Sequence, residues 1–111
     1  MSRRNPRDLL TPAALHMLLS LAQEDLHGYA IKHAVEERTQ GRLSLGPGTL
    51  YEAIHRMAGS GWIEEVPGAG RRRVYRITAA GRDVLLDELR RLDAIVSFAR
   101  DADLMPEGGT A

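Results

Sequence analysis

No cysteine occurs among the 111 residues of the chain. That excludes disulfides, zinc sites built on thiolates and thiol-based redox sensing, and it fits a reducing cytoplasm. No apolar run approaches the ~18 residues needed to span a bilayer. The opening stretch, MSRRNPRDLLTPAALHMLL, turns from basic to apolar as a secretory signal does. Pro6, Asp8 and Pro12 interrupt it and no small-residue cleavage site follows, so no signal peptide is expected. Internal repeats and low-complexity tracts are absent as well. There are no paired catalytic carboxylates, no glycine-rich phosphate loop and no nucleophile motif, which argues against an enzyme and against a bound cofactor. The histidines, His16, His27, His33 and His55, are scattered. His33 and Glu37 share a helix face at i, i+4, but two ligands do not make a metal site.

Net charge is lacking too: 15 basic side chains balance 15 acidic ones. The balance hides an asymmetry. Residues 1–77 hold eleven basic against eight acidic side chains, and residues 78–111 hold four against seven. A local patch matters more than the total for attracting a polyanion. Hydrophobic residues make up 43% and charged residues 27%, the composition of a soluble globular chain of one domain.

Thr11 and Pro12 are placed as the cap and first residue of a helix. Ala14, Leu15, Leu18, Leu19 and Ala22 then recur at helical spacing to about Ala22. Gln23 to Asp25 form a polar connector. A second helix is expected from Gly28 to about Thr39, burying Ile31, Ala34 and Val35, with Gly41 closing it. Pro47 opens a third helix whose stripe is Leu50, Ile54 and Met57, and Gly59 and Gly61 end it. Trp62, Ile63 and Val66 read as a strand, Pro67-Gly68-Ala69-Gly70 as a turn, and Val74 to Ile77 as the returning strand. Thr78 caps a final helix reaching about Arg100. Its seam, Leu85, Leu89, Leu92, Val96 and Ala99, steps by four and three residues and is widened by Leu86 and Ile95. Asp87 and Arg91 stand at i, i+4 on its wet face.

The expected fold is therefore mainly α with a small β-hairpin: a winged helix-turn-helix over 1–77, a long C-terminal dimerisation helix over 78–100, and a disordered acidic tail over 101–111. The reason for the first term lies in residues 43–78, where helical periodicity gives way to alternation. Arg71, Arg72 and Arg73 sit side by side at the hairpin tip. A helix for a groove of duplex DNA followed by a cationic hairpin for phosphate is the winged-helix plan. On the third helix Glu52, His55 and Arg56 face away from the apolar stripe, Thr49 and Tyr51 lie on its flanks, and all five can reach DNA. Arg56 suits phosphate or guanine, Glu52 suits cytosine but repels phosphate, and the Tyr51 hydroxyl suits phosphate. The plainer reading of each is a solvated surface, and of the arginines a solvated turn. The seam of the last helix is longer than three short helices can cover, which points to a homodimer.

The words His27-Gly28-Tyr29-Ala30-Ile31, Pro47-Gly48-Thr49-Leu50-Tyr51, Arg56-Met57, Gly61-Trp62-Ile63 and Tyr75-Arg76-Ile77-Thr78, with Gly81 after them, occur in this order. Together they resemble the PadR family of bacterial transcriptional regulators. The short C-terminal part resembles its small subfamily, in which a single last helix pairs with its mate and with the first helix. The resemblance implies a cytoplasmic repressor of nearby genes that releases DNA when a hydrophobic or aromatic small molecule binds near the dimer interface. It also implies that an aromatic residue of the last helix lines that cavity: here Phe98, with Met17 and Ala99 beside it. The competing reading is a winged-helix protein-interaction module that no longer binds DNA, which Glu52 and the zero net charge would suit.

Overall fold

The computed structural model describes residues 10–67 and 70–106. They form α1 (Pro12–Gln23), β1 (Leu26–His27), α2 (Gly28–Arg38), α3 (Pro47–Gly59), β2 (Ile63–Val66), β3 (Val74–Ile77) and α4 (Ala79–Asp101). The Thr11 side chain accepts from the Ala14 N–H at 3.1 Å, so the cap of α1 is the expected one. The buried arc of α1 differs. Met17, Leu18, Ser20 and Leu21 are buried, whereas Ala14, Leu15, Leu19 and Ala22 are only half-buried. α1 is contacted by α2, α3, β3 and α4, and its inner face turns to where those elements converge.

The sheet has three strands in the order β1-β3-β2, all antiparallel, rather than the two of a simple hairpin. β1 lies in what reads from sequence as the connector between two helices. Two residues carry no alternation; they become a strand only because Leu26 pairs with Tyr75 and His27 with Val74. β2 starts at Ile63, and Trp62 lies just outside it, although the Trp62 carbonyl still accepts from the Thr78 N–H at 2.9 Å. β3 alternates as expected, with Tyr75 and Ile77 inward. Of the turn expected at Pro67-Gly68-Ala69-Gly70, residues 68–69 lie outside the described ones.

Between α2 and α3 the chain reverses through left-handed backbone at Gln40 (φ 54°) and Gly41 (φ 79°). Thr39 braces the reversal: its hydroxyl donates to the Val35 carbonyl at 2.9 Å and accepts from the Leu43 N–H at 3.1 Å. The core gathers Met17, Leu18 and Leu21 with Ile31, Val35, Leu45, Leu50, Ile54, Met57, Ile63, Tyr75 and Ile77.

Thr78 joins the wing to α4. Its side chain accepts from the Gly81 N–H at 3.0 Å and donates to the Gly61 carbonyl at 2.6 Å. Gly81 is buried against the Trp62 carbonyl so closely that any Cβ would overlap it. α4 runs 23 residues, about 34 Å at 1.5 Å per residue. Only its first half meets the core, through Leu85 and, less fully, Val84 and Leu89. The expected Asp87–Arg91 pair is replaced. Arg91 forks onto Glu88 at 2.6 and 3.1 Å, and Asp87 takes Arg90 at 3.5 Å. Glu88 is 2% exposed, so its carboxylate has little water and draws the guanidinium that Asp87, out in solvent, does not need. The helix continues through Asp101 and closes on a bond from the Leu104 N–H to the Ala99 carbonyl. The remainder of the acidic tail, residues 107–111, lies outside the described ones.

Candidate nucleic-acid interface

α3 is held by its inner stripe, with Leu50, Ile54 and Met57 all buried. That packing turns Thr49, Tyr51, Glu52, His55 and Arg56 outward, and all five are exposed. Glu52 and Arg56 pair at 3.3 Å across one turn, with both side chains about three-quarters exposed. Such a pair contributes little and separates readily. It leaves Arg56 available and offsets the charge of Glu52 meanwhile.

Tyr51 turns toward α2. Its ring lies against Gly28, where an added Cβ would stand 3.0 Å from the tyrosine hydroxyl. The glycine is thus what lets α3 approach the start of α2. The wing approaches the same place. Arg72 Nη1 stands 3.1 Å from His27 Nε2. Together His27, Gly28, Tyr29, Tyr51 and Arg72 line a cleft of about 290 Å³. Beside it Tyr29 is exposed, edge-on to the His33 ring at 4.7 Å, and the Lys32 ammonium lies 5.9 Å from its centroid.

The hydrogen bonding of His27 decides what this cleft can hold. His27 caps α2 by accepting the Ala30 N–H on Nδ1 at 3.2 Å. A neutral imidazole has one acceptor nitrogen, so the cap leaves Nε2 carrying a hydrogen. Arginine has no acceptor at all. In that tautomer two donors face each other across 3.1 Å; in the other, Nε2 accepts from Arg72 and the cap of α2 is given up. The first arrangement is satisfied by an acceptor that both can reach, and an anion suits it best, with the N–H end of α2 alongside.

Among the residues expected to meet DNA, the structure brings Tyr51 and Arg72 together at this cleft. Thr49, Glu52, His55 and Arg56 are set along the outer face of α3, and Arg71 and Arg73 are exposed beside Arg72. Sequence reasoning passed over His27, Gly28 and Tyr29 as site residues. The signal was present in the word HGY ahead of α2, but only the pairing of β1 with β3 carries it to the wing. Of the seam, Leu85 is buried within the chain's own core, while Leu89, Leu92, Val96 and Ala99 are half-buried. Of the residues linked to an effector, Met17 is fully buried in the core, Ala99 is half-buried and Phe98 is 65% exposed; none lines the cleft at α2. Among the described residues no three His, Asp or Glu side chains gather for a metal, and no helix is long and apolar enough to cross a membrane.

A three-helix core, a sheet with a cationic hairpin, and an outward helix beside it define a winged helix-turn-helix protein. Residues 17–87 match the transcriptional regulator PadR-like family. The chain is 33% identical over 84 residues to transcriptional regulator Rv3488 of Mycobacterium tuberculosis, covering 73% of this chain and 76% of that protein. It is 40% identical over 73 residues to an uncharacterized 37.1 kDa protein in transposon TN4556 of Streptomyces fradiae; that match spans 66% of this chain but only 21% of the longer protein. The fold superimposes on a PadR family transcription regulator from Clostridium difficile R20291 with a TM-score of 0.68 at 25% identity, over 82% of this chain and 97% of the other. The chain belongs to the PadR-like family of transcriptional regulators, a family of DNA-binding proteins rather than enzymes.

Proposed function

We propose that this regulator binds operator DNA as a homodimer in the cytoplasm and acts as a repressor relieved by a small hydrophobic or aromatic effector. The observation that carries the DNA contact is the cleft where Arg72 of the wing, Tyr51 of α3 and His27 at the start of α2 meet. A backbone phosphate there would accept from His27 Nε2–H, Arg72 and the Tyr51 hydroxyl at once. It would fix the register in which Thr49, Glu52, His55 and Arg56 meet base edges, while Arg71 and Arg73 follow the backbone or minor groove. Two copies joined along Leu89, Leu92, Val96 and Ala99 would set their recognition helices in successive major grooves about 34 Å apart. Phe98 at the exposed end of α4 is the effector contact this reading favours, with Ala99 as its neighbour. An occupant there would shift the population between two dimer geometries.

The test is binding to duplex from the region upstream of the protein's own gene, titrated with salt and compared with scrambled duplex. The expected result is preference for the upstream duplex and an affinity that falls linearly with salt on logarithmic axes. Indifference to every duplex at low ionic strength would favour the protein-interaction reading instead.

A further inference from the structure

A second cleft lies at the opposite end of α2 from the wing. It opens between the start of α1 and the α2–α3 turn and measures about 490 Å³. Arg38, Thr39, Gln40 and Arg42 form its turn side, with Leu43 beneath them; Pro12 and His16 form its α1 side. We propose that this cleft binds a small organic anion, with its oxyanion head between Arg38 and Arg42 and its body against Pro12 and Leu43.

Charge makes the argument. Among the described residues the lining holds two guanidinium groups and no carboxylate. Arg38 is fixed by neutral acceptors: it donates to the His16 carbonyl at 3.1 Å and to the Ser20 hydroxyl at 2.9 Å. That uses two of its five N–H donors. Neither Arg38 nor Arg42 enters an ion pair among the described residues. The His16 Nδ1, buried without a hydrogen-bond partner among the described residues, is out of a ligand's direct reach, and the ring serves as a reporter beside the cleft. Burial and then the Arg38 charge hold its imidazole below the ordinary value, so the ring stays neutral and leaves the site to the arginines.

Size sets the ligand class. A cavity of this volume lies within the range of small-molecule sites and exceeds what a bare oxyanion fills. Pro12 and Leu43 give the excess an apolar wall. Occupancy does not depend on the DNA-binding reading. Any consequence for α3, reached through the left-handed pair Gln40 and Gly41, does rest on it.

The test is a nuclear magnetic resonance titration of the full chain, without DNA, following the His16 ring and the Arg42 Nε–H. The probes are inorganic phosphate, glycerol 3-phosphate and hexanoate, each at ionic strength held constant with chloride. The expected result is saturable shifts at His16 and Arg42 for at least one organic probe, weakened about tenfold in Arg42→Gln, the loss of one charge-assisted hydrogen bond. Arg42 is exposed and its side chain makes no hydrogen bond among the described residues, so that variant keeps the fold. Three results would overturn the proposal: no saturable shift with any probe, equal binding by Arg42→Gln, or shifts confined to His27 and Arg72.

Discussion

His27 Nε2 and Arg72 Nη1 stand 3.1 Å apart, and neither can accept from the other while His27 caps α2. The same ring thus joins a helix cap to the tip of the wing. His27→Asn separates the two roles, because asparagine caps helices well but has no second donor in that position. Its thermal stability should stay within a few degrees of wild type while duplex affinity drops for every sequence. Arg72→Ala should weaken binding to all sequences alike and reduce the salt slope by about one unit. An unchanged slope in a mobility-shift titration would remove Arg72 from the phosphate contact.

Two glycines make a paired prediction. At Gly28 an added Cβ meets the far end of the Tyr51 side chain at 3.0 to 3.2 Å, and Tyr51 is 53% exposed and free to swing away. At Gly81 it meets the backbone carbonyl of Trp62, which the Thr78 N–H also holds. Gly28→Ala should therefore leave the urea midpoint nearly unchanged and lower DNA affinity by displacing Tyr51. Gly81→Ala should cost about 3 kcal/mol of stability, the scale of overpacking against something that cannot yield. Equal destabilisation by the two would show that Tyr51 is not the element that moves.

Helix signals in this chain are local, and they were legible. Thr11, Pro12, Pro47 and Thr78 mark helix starts through caps and preset φ, and the Leu50-Ile54-Met57 stripe fixes which face of α3 looks outward. What was not legible depends on contacts between distant residues. β1 is a strand only because Leu26 and His27 find β3 some fifty residues later. For the same reason His27 reads alone as a structural residue at a helix start and joins the candidate cleft only when Arg72 arrives. The choice of Glu88 over Asp87 as the partner of Arg91 follows burial, which helical spacing does not reveal. Met17 belongs to the core and not to an outer face because four elements converge on α1.

His16 makes folding pH-dependent. Burial first, and the Arg38 charge second, lower its pKa in the folded chain. The unfolded chain then binds a proton at about pH 6.5, before the folded chain does. Above that value both states are neutral at this site and stability is at its full level. As pH falls below it the unfolded state gains protons first, and stability declines until the folded-state value is reached. Urea midpoints taken from pH 7.5 downward should show this decline, and His16→Gln should flatten it. A variant that titrates like wild type would assign the effect to another group.

The exposed half of α4 provides the sharpest test of assembly. Ile95 and Phe98 are 53% and 65% exposed and lie one turn apart beside Val96 and Ala99, whereas the core contacts of α4 end near Leu89. An apolar strip of this kind on a charged helix is covered by a partner in most soluble proteins. Ile95→Asp lies beyond the core, so the helical signal should be retained while sedimentation changes from dimer to monomer at micromolar concentration. If the recognition helices act in pairs, the variant also loses most of its affinity for a two-half-site duplex but little for a single half-site. Leu85→Asp serves as the contrast, because it strikes the chain's own core and should unfold the protein at any concentration. A wild-type chain that sediments as a monomer would leave the strip to some other partner and take the two-fold operator with it.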